Sequence, residues 1–125
     1  MLRSTPVAVL TLIAGALAIS ATAANAHPKL VTTNPAADAV ITSSPKELRL
    51  SFNEDLVPKF SGAEVKDKQG QKVELGAAAA DPADKKQLVI PLPTPLAEGV
   101  YKVDWHAVAA DTHRVKGSYS FTVKR

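Results

Sequence analysis

The sequence predicts an all-β chain: one Greek-key β-sandwich or barrel of about seven short strands, immunoglobulin-like or cupredoxin-like in arrangement. Three observations predict it. No stretch after residue 27 holds an apolar period of 3.6 over helical length, whereas several short runs alternate with period two. Proline, glycine and asparagine punctuate those runs at short intervals. The unit from 27 to 125, 99 residues long, is large enough for one core and too small for a second.

Each element follows from its residues. Lys29 to Thr32 reads as a short first strand, closed by Asn34-Pro35. Lys46 to Phe52 alternates cleanly, with Leu48, Leu50 and Phe52 on one face. Ala63–Lys66 and Lys72–Leu75 flank Asp67-Lys68-Gln69-Gly70-Gln71 and read as a hairpin. Gly76 to Asp84, with its alanine run, reads as a flexible connection. Gln87 to Pro91 is a further apolar strand, followed by a loop carrying Pro91, Pro93 and Pro95. Gly99 opens a strand that puts Tyr101, Val103 and Trp105 on one face, and Val115 to Val123 repeats the pattern. Trp105, Tyr119, Phe52 and Phe121 are the expected core anchors.

Residues 1–26 read as a secretory leader. Arg3 gives a positive start, Val7 to Ile19 is apolar except for Thr11 and Gly15, and Ala24-Asn25-Ala26 has the small-x-small form of a cleavage site. The apolar run falls short of the ~20 residues of a bilayer span, so removal is expected rather than anchoring, with the remainder in a periplasm. The net charge of +3 is too mild to argue for nucleic acid or anionic lipid. There is no cysteine and the one methionine is Met1, so disulfides, thiolate sites and thiol nucleophiles are excluded. Ligand chemistry in residues 27–125 must use oxygen and nitrogen.

Three histidines follow the leader: His27, His106 and His113. Cleavage after Ala26 would make His27 the first residue, and an N-terminal histidine offers both its α-amine and its ring Nδ1 to one metal ion. Pro28 has no amide N–H, so a Cu(II) ion held there cannot continue along the backbone. Asp111 and His113 lie two apart between the last two strands, and in extended chain they would point the same way. Asp104 and His106 form a second Asp-x-His pair on the strand face opposite Trp105, a face that is solvated or bonds near the loop. Glu54 ends the Phe52 strand beside Asp55. Taken singly, each of these fits an ordinary surface residue as well as a ligand.

Together they carry a resemblance. The start His27-Pro28-Lys29-Leu30-Val31, then Asn34-Pro35-Ala36, Phe52-Asn53-Glu54, the run Pro95 to Trp105, and Asp111-Thr112-His113 with Gly117-Ser118 resemble the CopC family of periplasmic copper-binding proteins. The resemblance covers essentially all of residues 27–125 and implies a Greek-key barrel or sandwich. It implies that His27 is a Cu(II) ligand through amine and imidazole, and that Asp111 and His113 are the other two ligand residues. Glu54 matches a glutamate placed near the site in some members, an outer or weak ligand. The chain departs from some members in lacking a methionine-rich Cu(I) segment, since Lys66 to Asp84 holds no methionine. His106 also stands where an arginine often follows the tryptophan. Amine, imidazole and carboxylate donors favour Cu(II), while the absent sulfur donors favour Cu(I).

The expected function is that of a non-catalytic, monomeric protein that sequesters or delivers Cu(II) in copper homeostasis or resistance. The resemblance suggests an inner-membrane copper importer of the CopD type as its partner. Two other classes compete. A histidine-brace monooxygenase shares the N-terminal histidine chelate, but the short chain, few aromatics and a carboxylate ligand at Asp111 argue against it. A metal-free immunoglobulin-like structural module would leave the three histidines incidental.

Overall fold

The computed structural model describes residues 28–125; the leader and His27 lie outside the described residues. Eight strands make up the fold: β1 Leu30–Asn34, β2 Val40–Ile41, β3 Glu47–Phe52, β4 Gly62–Lys66, β5 Ala79–Asp81, β6 Asp84–Pro91, β7 Gly99–Val108 and β8 Arg114–Val123. They form two four-stranded sheets, one in the order β1-β3-β6-β5 and the other β2-β8-β7-β4. All neighbours are antiparallel except β2, which runs parallel to β8 through Val40 and Ile41. The expectation of an all-β sandwich holds, with eight strands in place of about seven.

The period-two runs act as their alternation dictates. In β3 the odd members Glu47, Arg49 and Ser51 are half-buried, while Leu48, Leu50 and Phe52 are buried. Leu48, Leu50, Leu88, Val65 and Val103 are fully buried from both sheets, each contributing roughly 1.5–3 kcal/mol of transfer free energy. Phe52 of one sheet meets Trp105 of the other edge-to-face at 5.4 Å, and Tyr101 stacks on its cross-strand partner Phe121 at 5.6 Å. All four expected anchors are buried.

Two expectations need correction. Lys72–Leu75 is not a strand. The turn forms as expected, with Asp67 Oδ1 accepting the Gln69 and Gln71 N–H groups at 2.9 Å, but pairing stops at the Lys66–Lys72 bridge and the Val73 N–H bond to Val65. The chain then crosses to the other sheet, where Gly76 donates to the Pro91 carbonyl and packs against its ring. The Gly76–Asp84 stretch is likewise not a loose connection, because Ala79–Asp81 pairs with β6 as an edge strand. Alanine has little strand preference, so tertiary contacts supply what the sequence does not. Arg49 Nη1 holds Asp81 Oδ2 at 2.7 Å and its Nε holds Glu47 at 2.8 Å, while Asp81 Oδ1 caps the turn by accepting the Ala83 N–H. No helix among the described residues is long and apolar enough to cross a membrane.

Candidate metal centre

One end of the sandwich gathers three chain segments. The linker leaving β3, Asn53 to Leu56, is the organiser. On one side Asn53 Oδ1 accepts the Lys29 N–H at 2.7 Å and the Asn53 N–H donates to the Lys29 carbonyl at 3.1 Å. On the other side Leu56 bridges Ala109, and the Ala110 N–H donates to the Asp55 carbonyl at 3.0 Å. Buried Pro28 and exposed Lys29, the residues that follow His27, therefore share this end with the turn between β7 and β8. The role of Asn53 was not read from the sequence; its signal is a side-chain acceptor placed where a strand ends.

That turn carries the Asp-x-His pair. The Thr112 N–H closes it on the Ala109 carbonyl at 2.8 Å, and the Ala109 N–H returns to the His113 carbonyl at 3.0 Å. Asp111 and His113 converge as expected, but through a turn rather than extended chain: Thr112 adopts φ +74°, the left-handed region. Asp111 Oδ2 lies 2.8 Å from His113 Nδ1, and Oδ1 accepts the His113 N–H at 3.2 Å. The His113 side chain, followed by its backbone N–H, holds the Asp111 carboxyl below its usual range. Both side chains stay substantially exposed, at 47% for His113 and 37% for Asp111, and so are open to an ion from solvent.

The donor set is imidazole and carboxylate, which suits a borderline or hard divalent ion and not a soft one. Asp111 engages Nδ1, so Nε2 is the ring nitrogen that lies outside this bond. Ligation through the Asp111 carboxylate and His113 together exchanges the bond for metal contacts. Glu54 lies half-buried on the organising linker. Among the described residues, however, no three His, Asp or Glu side chains gather into a group able to hold a metal ion, so Glu54 does not complete the pair there. His27 lies outside the described residues.

The second Asp-x-His pair does not assemble. Asp104 Oδ1 lies 3.6 Å from Lys102 Nζ on the outer face of β7. His106 is exposed on the same face, its ring across Gly62, where an added Cβ would sit 3.3 Å from Cε1.

Comparison with known proteins places these features in a lineage. A family model described as the CopC domain matches residues 30–124. The copper resistance protein C of Xanthomonas campestris pv. juglandis is 40% identical over 119 residues, covering 91% of this chain and 93% of that protein. Among solved structures, CopC from Methylosinus trichosporium OB3b superposes with a TM-score of 0.73 at 32% identity, covering 78% of this chain and 94% of that one. PcoC from Escherichia coli, described as a methionine-rich copper resistance protein, superposes with a TM-score of 0.70 at 41% identity, covering 79% and 100%. A region of the copper transport protein CutJ of Bacillus subtilis is 26% identical over 98 residues, 78% of this chain but 18% of that protein. With the match running through nearly every described residue and the two-sheet frame shared, the chain belongs to the CopC family.

Proposed function

We propose that this chain is a periplasmic Cu(II) carrier, released from its leader after Ala26, whose one copper site is built on the new N-terminus. His27 supplies its α-amine and ring Nδ1, and His113 and Asp111 supply the remaining donors; Glu54 is an outer ligand at most. The observation that carries the reading is the meeting of the Asp111–His113 turn and the Pro28–Lys29 segment on the Asn53–Leu56 linker. Membership of the CopC family, with relatives named for copper resistance, supports copper as the cargo. Residues 27–125 contain no sulfur donor, which supports Cu(II) over Cu(I). In this the chain differs from a relative described as methionine-rich.

The protein acts as a monomer and hands copper to a CopD-type membrane importer. A copper transport protein that contains a region like this chain supports that pairing. No catalytic step is assigned. The test is a Cu(II) titration of chain beginning at His27, followed through quenching of the sole tryptophan, Trp105. His113→Ala and Asp111→Ala are each expected to weaken binding at least tenfold, with thermal stability little changed because both residues are exposed. Affinity is expected to fall on acidification, since free amine titrates near ~8 and imidazole near ~6.5 and both must be deprotonated to ligate. Binding unchanged in both variants, or from neutral pH to about pH 4, would remove these donors from the site.

A further inference from the structure

The outer face of the β2-β8-β7-β4 sheet divides into two regions by charge. Toward its middle and the Gly99 end, cations and carboxylates are matched: Lys72 and Lys66 reach Glu64 at 2.6 and 4.0 Å, and Lys102 reaches Asp104 at 3.6 Å. Toward the Asp111–His113 end the matching stops. Lys59, Arg114 and Lys116 have no ion-pair partner within 4 Å among the described residues, and no carboxylate lines the depression that Arg114 and Lys116 border. Paired strands set this arrangement, with His106 opposite Lys116 and Val108 opposite Arg114.

The same end holds an open depression of about 440 Å³, lined among others by Phe60, His106, Val108, Arg114, Val115 and Lys116. Phe60 is 54% exposed, one of few large apolar side chains left in solvent. It is held there deliberately by its neighbours. Phe60 ends a 3₁₀ turn, Pro58–Phe60, and buried Ser61 pins that turn to β7: its hydroxyl donates to the Val57 carbonyl at 2.8 Å and accepts the Val108 N–H at 3.0 Å. Gly62, lacking a Cβ, leaves room for the His106 ring, whose Cε1 would lie 3.3 Å from an added Cβ, and His106 lines the depression. An exposed aromatic in a concave recess with an unneutralised cationic rim has a specific complement. An apolar side chain fills the recess, and carboxylates beside it meet the rim.

We propose that this depression is a docking surface for an acidic segment of a partner protein, one carrying an apolar side chain flanked by aspartates or glutamates. The concavity favours a protein over a lipid surface, because a bilayer needs a protruding wedge and has nothing to insert into a recess. Arg114 directly follows His113, so a partner seated here lies beside the turn assigned to copper. That consequence for transfer rests on the copper reading, whereas docking itself does not.

The test therefore uses the purified protein without added metal. The probe is a short peptide with glutamates on both sides of a single leucine, and amide chemical shifts follow its binding. Shifts are expected at Phe60, His106, Arg114 and Lys116, with affinity falling as salt is raised. Arg114→Glu/Lys116→Glu should weaken binding at least tenfold, and Phe60→Ser severalfold. Lys68→Glu/Lys124→Glu, which changes net charge equally at the opposite end, should leave it within twofold. Lysines in place of the peptide's glutamates should abolish binding. Equal losses in both double variants, shifts centred elsewhere, or no binding of the acidic peptide would overturn the proposal. So would binding only to vesicles containing phosphatidylglycerol, which would make this a membrane face. Binding that persists when the copper titration fails would separate the two readings.

Discussion

At the scale of single residues, the pair that matters is shaped by its turn. The Asp-x-His spacing was legible in the sequence, but the means of convergence was not. Alternation in an extended strand predicts parallel side chains, whereas the observed contact at 2.8 Å depends on Thr112 at φ +74°. A β-branched residue in that region gives no sequence signal, since glycine or asparagine is the usual occupant. Tyr119 offers a sharper residue-level test. Its hydroxyl is buried without a hydrogen-bond partner among the described residues, and burial pushes it up to about 12. Tyr119→Phe removes an unsatisfied group, so stability in denaturant should stay level or rise by up to about 1 kcal/mol. A loss of more than about 1 kcal/mol would mean that the hydroxyl has a partner. Because the folded state holds this phenol neutral while the unfolded chain ionises from about pH 10, wild-type stability should decline between about pH 10 and 12, and the Phe variant's should decline less.

At the scale of elements, strands with clean alternation were legible and those made by tertiary pairing were not. The strands ending at Phe52, Trp105 and Val123 announce themselves, because each buried face is written in every second residue. The pair β5 and β2 is too short or too alanine-rich to do so, and β5 depends on Arg49 reaching Asp81. Arg49, then the Ala83 N–H, holds the Asp81 carboxyl below its ordinary 3.8. A carboxyl lowered in the folded state stabilises fully above its unfolded value and loses that contribution as pH falls through its folded one. The stability gap between wild type and Asp81→Asn should therefore be widest near neutrality and close as pH falls through the lowered folded-state value. A gap independent of pH would remove the ion pair from the account of this edge. Gly117 carries a steric message instead. Its cross-strand partner is Trp105, and an added Cβ would sit 2.6 Å from Cζ2 of the indole. Gly117→Ala should cost roughly 1–3 kcal/mol and shift Trp105 emission; unchanged emission and stability would show that the ring has room.

At the scale of the whole molecule, the sandwich works as a spacer that delivers distant sequence to one end. Lys29 and Asn53 are 24 residues apart, and the Asp55–Ala110 contact joins segments still further apart, yet all meet through main-chain bonds on one linker. The composition reading predicts an oxygen- and nitrogen-donor site, and the fold brings two of the proposed donors, Asp111 and His113, into contact. Nothing in the alternation of residues foretold the cationic recess beside them, because it arises from which charges find partners across strands. The central claim is that the copper site requires a free amine at His27. The most direct measurement is electron paramagnetic resonance of one equivalent of Cu(II) with chain starting at His27, beside chain carrying one extra residue before it. A single tetragonal, nitrogen-rich signal that is lost or strongly altered by the extension is the expected result. The same signal from both forms would contradict the claim and place the site on Asp111, His113 and their neighbours alone.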